Sequence, residues 1–176
     1  CKALSASWRM GFCFFIVVVS VFIFYSCSNE TKEVKTVKVS TPQDLEKETV
    51  KQLSFYLTKD SIINVDSIPL ICYRYFSTQY NSKLLWFEKS NFNQKGDSLL
   101  KLIEKINFYG LIPNDYHLQK IKSHIDSIHS NKELINVTSL VKADLLLSDA
   151  YFLMGAHLNK GRFYTDSLLL QTNFSK

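Results

Sequence analysis

Cysteine is scarce in this 176-residue chain, and its placement excludes a disulfide scaffold. Of Cys1, Cys13, Cys27 and Cys72, the first two fall in an N-terminal leader and the third at its end. That leaves Cys72 alone in the body of the chain, where it can close no internal bridge. No His-Glu-x-x-His occurs among His117, His124, His129 and His157, and no cysteine pair accompanies them. A metal centre is therefore not expected, and no cofactor is implied. Long runs of one charge are missing too. The formal net charge is +5, but the basic residues are interspersed with Asp and Glu, and Lys2 and Arg9 precede the apolar run. Without a concentrated basic stripe, nucleic acid is not an expected partner.

What is present begins with that run. Gly11 to Ser26 carries no charge over 16 residues and follows a basic start. This is the pattern of a secretory leader, since the positive end stays on the cytoplasmic side. The stretch is shorter than the roughly 20 residues that span a bilayer comfortably. Its end, Phe24-Tyr25-Ser26-Cys27, resembles the lipobox of bacterial lipoproteins, which implies lipidation at Cys27. An uncleaved signal anchor is the alternative, and either reading puts the remainder on the periplasmic side of the cell envelope, anchored to a membrane. Because it opens on Cys1, the chain reads as a fragment; a start at Met10 would forfeit both Lys2 and Arg9.

Three regions follow from this: a leader over 1–27, a polar tether over 28–40 and a helical domain over 41–176. The tether is polar and charged with isolated valines, too little to build a core. Thr41-Pro42 with Asp44 signals a helix start, and Leu45, Val50, Leu53, Tyr56 and Leu57 fall near one face. Pro69 opens an aromatic-rich segment through Tyr73, Tyr75, Phe76, Tyr80, Trp86 and Phe87, natural core anchors. Asn91 to Gly96 reads as a turn, after which Asp97 or Ser98 would cap a helix bearing Leu99, Leu100, Leu102, Ile103, Ile106 and Tyr109. Gly110 ends it. A fourth helix is expected from Pro113-Asn114-Asp115, using Tyr116, Leu118, Ile121, Ile125 and Ile128. The last, Leu140 to about Lys160, is apolar on more than one face and so should lie at the centre of the bundle. Gly161 stops it. The expected fold is all-α, a small bundle of about five helices.

Three blocks carry a family resemblance: the aromatic segment Tyr75-Phe76 through Tyr80 to Trp86-Phe87; Tyr109-Gly-Leu-Ile-Pro-Asn-Asp-Tyr-His117; and Ala143-Asp-Leu-Leu-Leu-Ser-Asp-Ala-Tyr151 with His157-Leu-Asn-Lys-Gly161. In that order they resemble the N-terminal scaffold domain of large bacterial L,D-transpeptidases over roughly residues 50 to 170. The resemblance implies a helical scaffold beside a separate catalytic domain that cross-links peptidoglycan through a cysteine nucleophile. Peptidoglycan itself is then a candidate partner. The family's nucleophile motif, Ser-x-Gly-Cys-x-Arg, has no match here: Cys72-Tyr-Arg74 follows Pro69-Leu-Ile71, so no catalytic residue is assigned and Cys72 reads as a packing residue.

Gly110, Pro113, Asp115, Tyr116, His117 and Asp149 remain as a candidate structural or interaction motif. Gly110 permits positive φ, Pro113 suits a first helical turn, and Asn114 or Asp115 can serve its free N–H groups. Tyr116 and His117 are candidates for presentation to a glycan or a neighbouring domain. Asp149, set among apolar residues, needs a local partner. Asp144, five residues earlier, lies too far round the helix to pair with it directly. The reading that follows is a non-catalytic scaffold portion of a transpeptidase; the rival is a stand-alone envelope lipoprotein whose bundle holds a protein or glycan.

Overall fold

The central helix sets the architecture. The computed structural model describes residues 36–58, 63–130 and 133–162; the leader, Cys27 and the first part of the tether lie outside the described residues. Among the described residues five α-helices alternate with 3-10 turns and three two-stranded ladders. These are α1 (Pro42–Leu57), α2 (Tyr73–Phe76), α3 (Gln94–Glu104), α4 (Leu118–His129) and α5 (Val137–Lys160). The mostly helical fold matches the sequence reading.

Helix α5 is the expected centre. From Val137 to Ala150 every residue except the half-buried Lys142 is buried. A helix that is apolar all round can satisfy its surface only by being enclosed. Its start is fixed by Asn136, whose side-chain oxygen accepts the Ser139 N–H at 3.1 Å. Its end is fixed by Gly161, at φ 83°, a conformation that suits glycine. Despite its composition, no described helix is long and apolar enough to cross a membrane.

Helix α1 starts where Thr41 and Pro42 place it. Thr41 Oγ1 accepts the Asp44 N–H at 3.1 Å and donates to the Asp44 carboxylate at 2.6 Å. The buried stripe, however, is Leu45, Thr49, Gln52, Leu53 and Tyr56, and Val50 is exposed. Val50 sits about 100° round the helix from Thr49. Gln52 faces inward because its Nε2 donates to Thr138 Oγ1 at 3.2 Å, a partner 86 residues away that periodicity does not reveal.

Two boundaries depart from expectation. Residues 38–39, read as tether, form β1 (Lys38–Val39), which pairs antiparallel with β6 (Ile135–Asn136), so the folded part begins before Thr41. Helix α3 is capped by Asn93, not by Asp97 or Ser98: Asn93 Oδ1 accepts the Gly96 N–H at 2.9 Å. The supposed turn over Asn91 to Gly96 is instead β5 (Asn91–Phe92), paired with β4 (Phe87–Glu88), and then the first helical turn. Gly96 is required there because a Cβ would stand 2.3 Å from the Trp86 carbonyl oxygen. Of the expected α3 stripe, Leu99, Ile103 and Ile106 are buried, whereas Leu102 and Tyr109 are exposed.

A third difference concerns the fourth helix. Pro113–Tyr116 is a separate 3-10 turn, and α4 begins only at Leu118. The break is His117, held left-handed at φ 61°. A left-handed residue cannot continue a right-handed helix. The remaining hairpin, β2 (Asn64–Val65) with β3 (Ile68–Pro69), turns through Asp66 and Ser67, both at positive φ. That conformation matches the twist of a two-residue hairpin loop.

Candidate functional site

Polar residues buried in a helix interior must find partners within the protein, since each unmade hydrogen bond there costs about 1–3 kcal/mol. Helix α5 carries six such residues, Thr138 and Ser139 in its first turn and Asp144, Ser148, Asp149 and His157 beyond it, all buried. The last four fasten three stretches of irregular chain: the aromatic segment, the entry to α2 and the turn before α4.

Asp149 Oδ1 accepts the backbone N–H of Cys72 at 2.6 Å, and its Oδ2 lies 2.9 Å from His117 Nε2. A tautomer with its proton on Nε2 lets the imidazole donate to that oxygen. One side chain thus joins the entry to α2 and the entry to α4. His117 pays for its left-handed backbone with this contact. About two turns further along α5, His157 Nδ1 shares a 2.8 Å hydrogen bond with Tyr116, which is 1% exposed. Asp115 meets Arg162 at 2.7 Å.

Asp144 and Ser148 hold the aromatic segment. Asp144 Oδ1 accepts the Trp86 N–H at 2.8 Å; its Oδ2 accepts the Tyr80 hydroxyl at 2.7 Å and the Leu85 N–H at 3.2 Å. Ser148 Oγ lies 2.8 Å from the Tyr80 hydroxyl and accepts the Trp86 indole N–H at 2.8 Å. Burial pushes the Asp144 carboxyl up to about 6, against the hydrogen bonds from Tyr80 and from the backbone at 85–87, which favour its charged form. Burial and the adjacent carboxylate push the Tyr80 phenol well above its ordinary value. The five-residue spacing of Asp144 and Asp149 turns them to different neighbours rather than to each other.

A second cluster pins the β2–β3 hairpin. Asp66 Oδ1 meets Lys142 Nζ at 2.6 Å, while its Oδ2 lies 2.8 Å from His124 Nε2 and 3.9 Å from Lys120 Nζ. Burial opposes ionisation of Asp66, but Lys142 first, then His124 and Lys120, hold it below the usual carboxylate range. Burial lowers His124, outweighing the attraction of Asp66.

Of the residues singled out from the sequence, Asp115, Tyr116, His117 and Asp149 are brought together along the second half of α5, with Gly110 at φ 74° and Pro113 shaping the approach. Tyr116 and His117 point inward, so they are not the presented side chains. Cys27 lies outside the described residues. Cys72 is buried, and burial together with Asp149 pushes its thiol far above the ordinary range, the opposite of what a nucleophile needs. Tyr80 and Trp86 are buried as the core anchors expected of them, but their hydrogen-bonding roles, and those of Ser148, His157 and Asp66, do not follow from the sequence. A signal existed for Ser148 and His157: polar residues inside an otherwise apolar helix. The hairpin cluster had none. Among the described residues no group of three or more His, Cys, Asp and Glu is placed to hold a metal ion.

The arrangement does structural work: it fastens loops to a buried helix. A family model described as Scaffold domain matches residues 73–176, which contain Tyr80, Trp86, the Gly110–His117 turn and all of α5. No curated protein and no solved structure matches the chain. With more than half of its length matched, the chain belongs to the Scaffold domain family.

Proposed function

We propose that this chain is the non-catalytic scaffold portion of a cell-envelope L,D-transpeptidase, held at the membrane by its leader or by a lipid on Cys27. One observation carries the reading. The three sequence blocks that resemble the transpeptidase scaffold meet physically: the aromatic block through Tyr80 and Trp86, and the Gly110–His117 block through Tyr116 and His117, both end on polar residues of the Ala143–His157 block. Blocks that all fasten to one buried helix support the resemblance better than the same residues scattered. Each titratable group at these contacts has its own partner, and the Cys72 thiol is held protonated. Peptidoglycan cross-linking chemistry is therefore assigned to a catalytic domain of the full-length protein, with the peptidoglycan peptides as its substrate.

The test uses the full-length polypeptide with a tetrapeptide donor and acceptor, analysed for cross-linked product. Product is expected, and Cys72→Ala should leave its rate unchanged. Loss of product in Cys72→Ala would make Cys72 the nucleophile and overturn the scaffold reading; no product from the wild type would overturn the transpeptidase reading. For the anchor, Cys27→Ala should abolish lipid labelling. Labelling that survives the substitution would favour the uncleaved anchor.

A further inference from the structure

The β2–β3 hairpin turns on Asp66 at φ 48° and Ser67 at φ 67°. Neither is glycine, so the left-handed conformation is strained at both positions. Two facing pairs, Asn64 with Pro69 and Val65 with Ile68, are too few to hold such a turn alone. Yet Ile63, Val65 and Leu70 are all fully buried. The restraint comes from the Asp66 side chain, which is gripped by α4 and α5. Lys142, the one half-buried residue between Val137 and Ala150, reaches it at 2.6 Å.

That carboxylate is already saturated. Lys142 occupies Oδ1, while Oδ2 lies 2.8 Å from His124 Nε2 and 3.9 Å from Lys120 Nζ. Two lysines outnumber one carboxylate, so the cluster is net positive even with a neutral imidazole. Groups on the neighbouring elements do not correct this. On α1, burial and then the Asp66 charge push the Tyr56 phenol up to about 12, which keeps it neutral. On α3, Glu104 is engaged by Lys122, and in the turn before α4, Asp115 is engaged by Arg162. On α5, Asp144 and Asp149 meet Tyr80 and His117. Asp126 on α4 and Glu133 ahead of β6 are exposed. A proton added to His124, itself 8% exposed, therefore places a third cation on a single carboxylate. Burial lowers the imidazole below its ordinary 6.5, and the two lysines add to that against the pull of Asp66.

We propose that the hairpin is an acid-sensitive latch: its opening uncovers His124, the uncovered imidazole takes a proton, and acid holds residues 63–70 open while α5 stays closed. The closed state binds that proton less tightly than the open one. Closure is thus favoured above pH 6.5 and is lost as pH falls below it. Asp66 acts in the same direction only near and below 3.8, well outside that window.

The test is hydrogen exchange on the intact chain at about pH 7.5 and about pH 5.5, corrected for intrinsic exchange. Relative to α5, residues 63–70 should exchange up to about tenfold faster at the lower pH, the factor by which an ordinary imidazole is protonated there. His124→Gln keeps an N–H toward Asp66 but takes no proton, and should show no such rise. In Lys142→Met the carboxylate is left to the protonated imidazole, so the rise should shrink to less than about half. Equal rises in the wild type and His124→Gln would overturn the proposal, as would a full rise in Lys142→Met. Imidazole titration of the wild type by NMR needs no variant: a His124 pKa at or above 6.5 would also overturn it.

Discussion

His117 Nε2 lies 2.9 Å from Asp149 Oδ2, and the other oxygen of that carboxylate takes the Cys72 N–H at 2.6 Å. Through this bridge a buried residue of α5 fixes two chain segments that are distant in sequence. Asp149→Ala leaves a buried N–H and an imidazole N–H without their acceptor. Hydrogen bonds to a charged group contribute about 1.5–3 kcal/mol each, so a loss of at least that size is expected. Urea unfolding followed by circular dichroism measures it. A loss below about 0.5 kcal/mol, the range of ordinary surface changes, would mean that the bridge holds nothing.

Asp144 gives a pH dependence whose sign is fixed by its raised carboxyl. Burial lifts it from 3.8 to about 6. The folded protein therefore keeps this proton while the unfolded chain has already released it, and the stability contributed declines as pH rises from 3.8 through 6. Asp144→Asn removes the titration and, lacking a second acceptor oxygen for Leu85 N–H, is destabilised throughout. The gap between wild type and variant should be wider at about pH 4 than at about pH 7. A gap wider at neutral pH would show that the hydrogen bonds from Tyr80 and Trp86 outweigh burial.

Gly96→Ala pits propensity against space. In an open helix the change would gain about 1 kcal/mol. Here the new Cβ would stand 2.3 Å from the Trp86 carbonyl oxygen and 2.8 Å from Phe92 Cδ1, so the β4–β5 hairpin must shift. A net loss of about 1–3 kcal/mol is expected, the usual range for overpacking. Any rise in melting temperature would contradict the close approach.

Leu146→Ala tests the central helix itself. Leu146 is fully buried, and such truncations cost about 2–5 kcal/mol through lost transfer energy and the cavity left behind. Lys122→Ala removes only an exposed ion pair with Glu104 and should change stability by less than about 1 kcal/mol. Thermal melts compare both with the parent. Equal melting temperatures would remove α5 from the core.

The sequence alone determined the helices whose signals are local. Thr41-Pro42, Gly161 and the apolar wealth of 140–160 act within one or two turns, so the chain states them directly. Gly110, expected to end α3, closes the 3-10 turn Ile106–Tyr109 instead; α3 ends at Glu104, and α5 starts three residues early at Val137. The sequence also marked the turn and Asp149 as residues needing a structural account. Tertiary structure decided the rest. Asn93 rather than Asp97 caps α3 because the Trp86 carbonyl sits against Gly96. Residues 38–39 became a strand because a partner arrives from position 135. Pro113 did not open α4 because His117 turns left-handed at the point where its imidazole reaches Asp149. In each case the deciding partner lies beyond the reach of a local pattern, and a buried hydrogen bond or a steric contact, not propensity, sets the outcome.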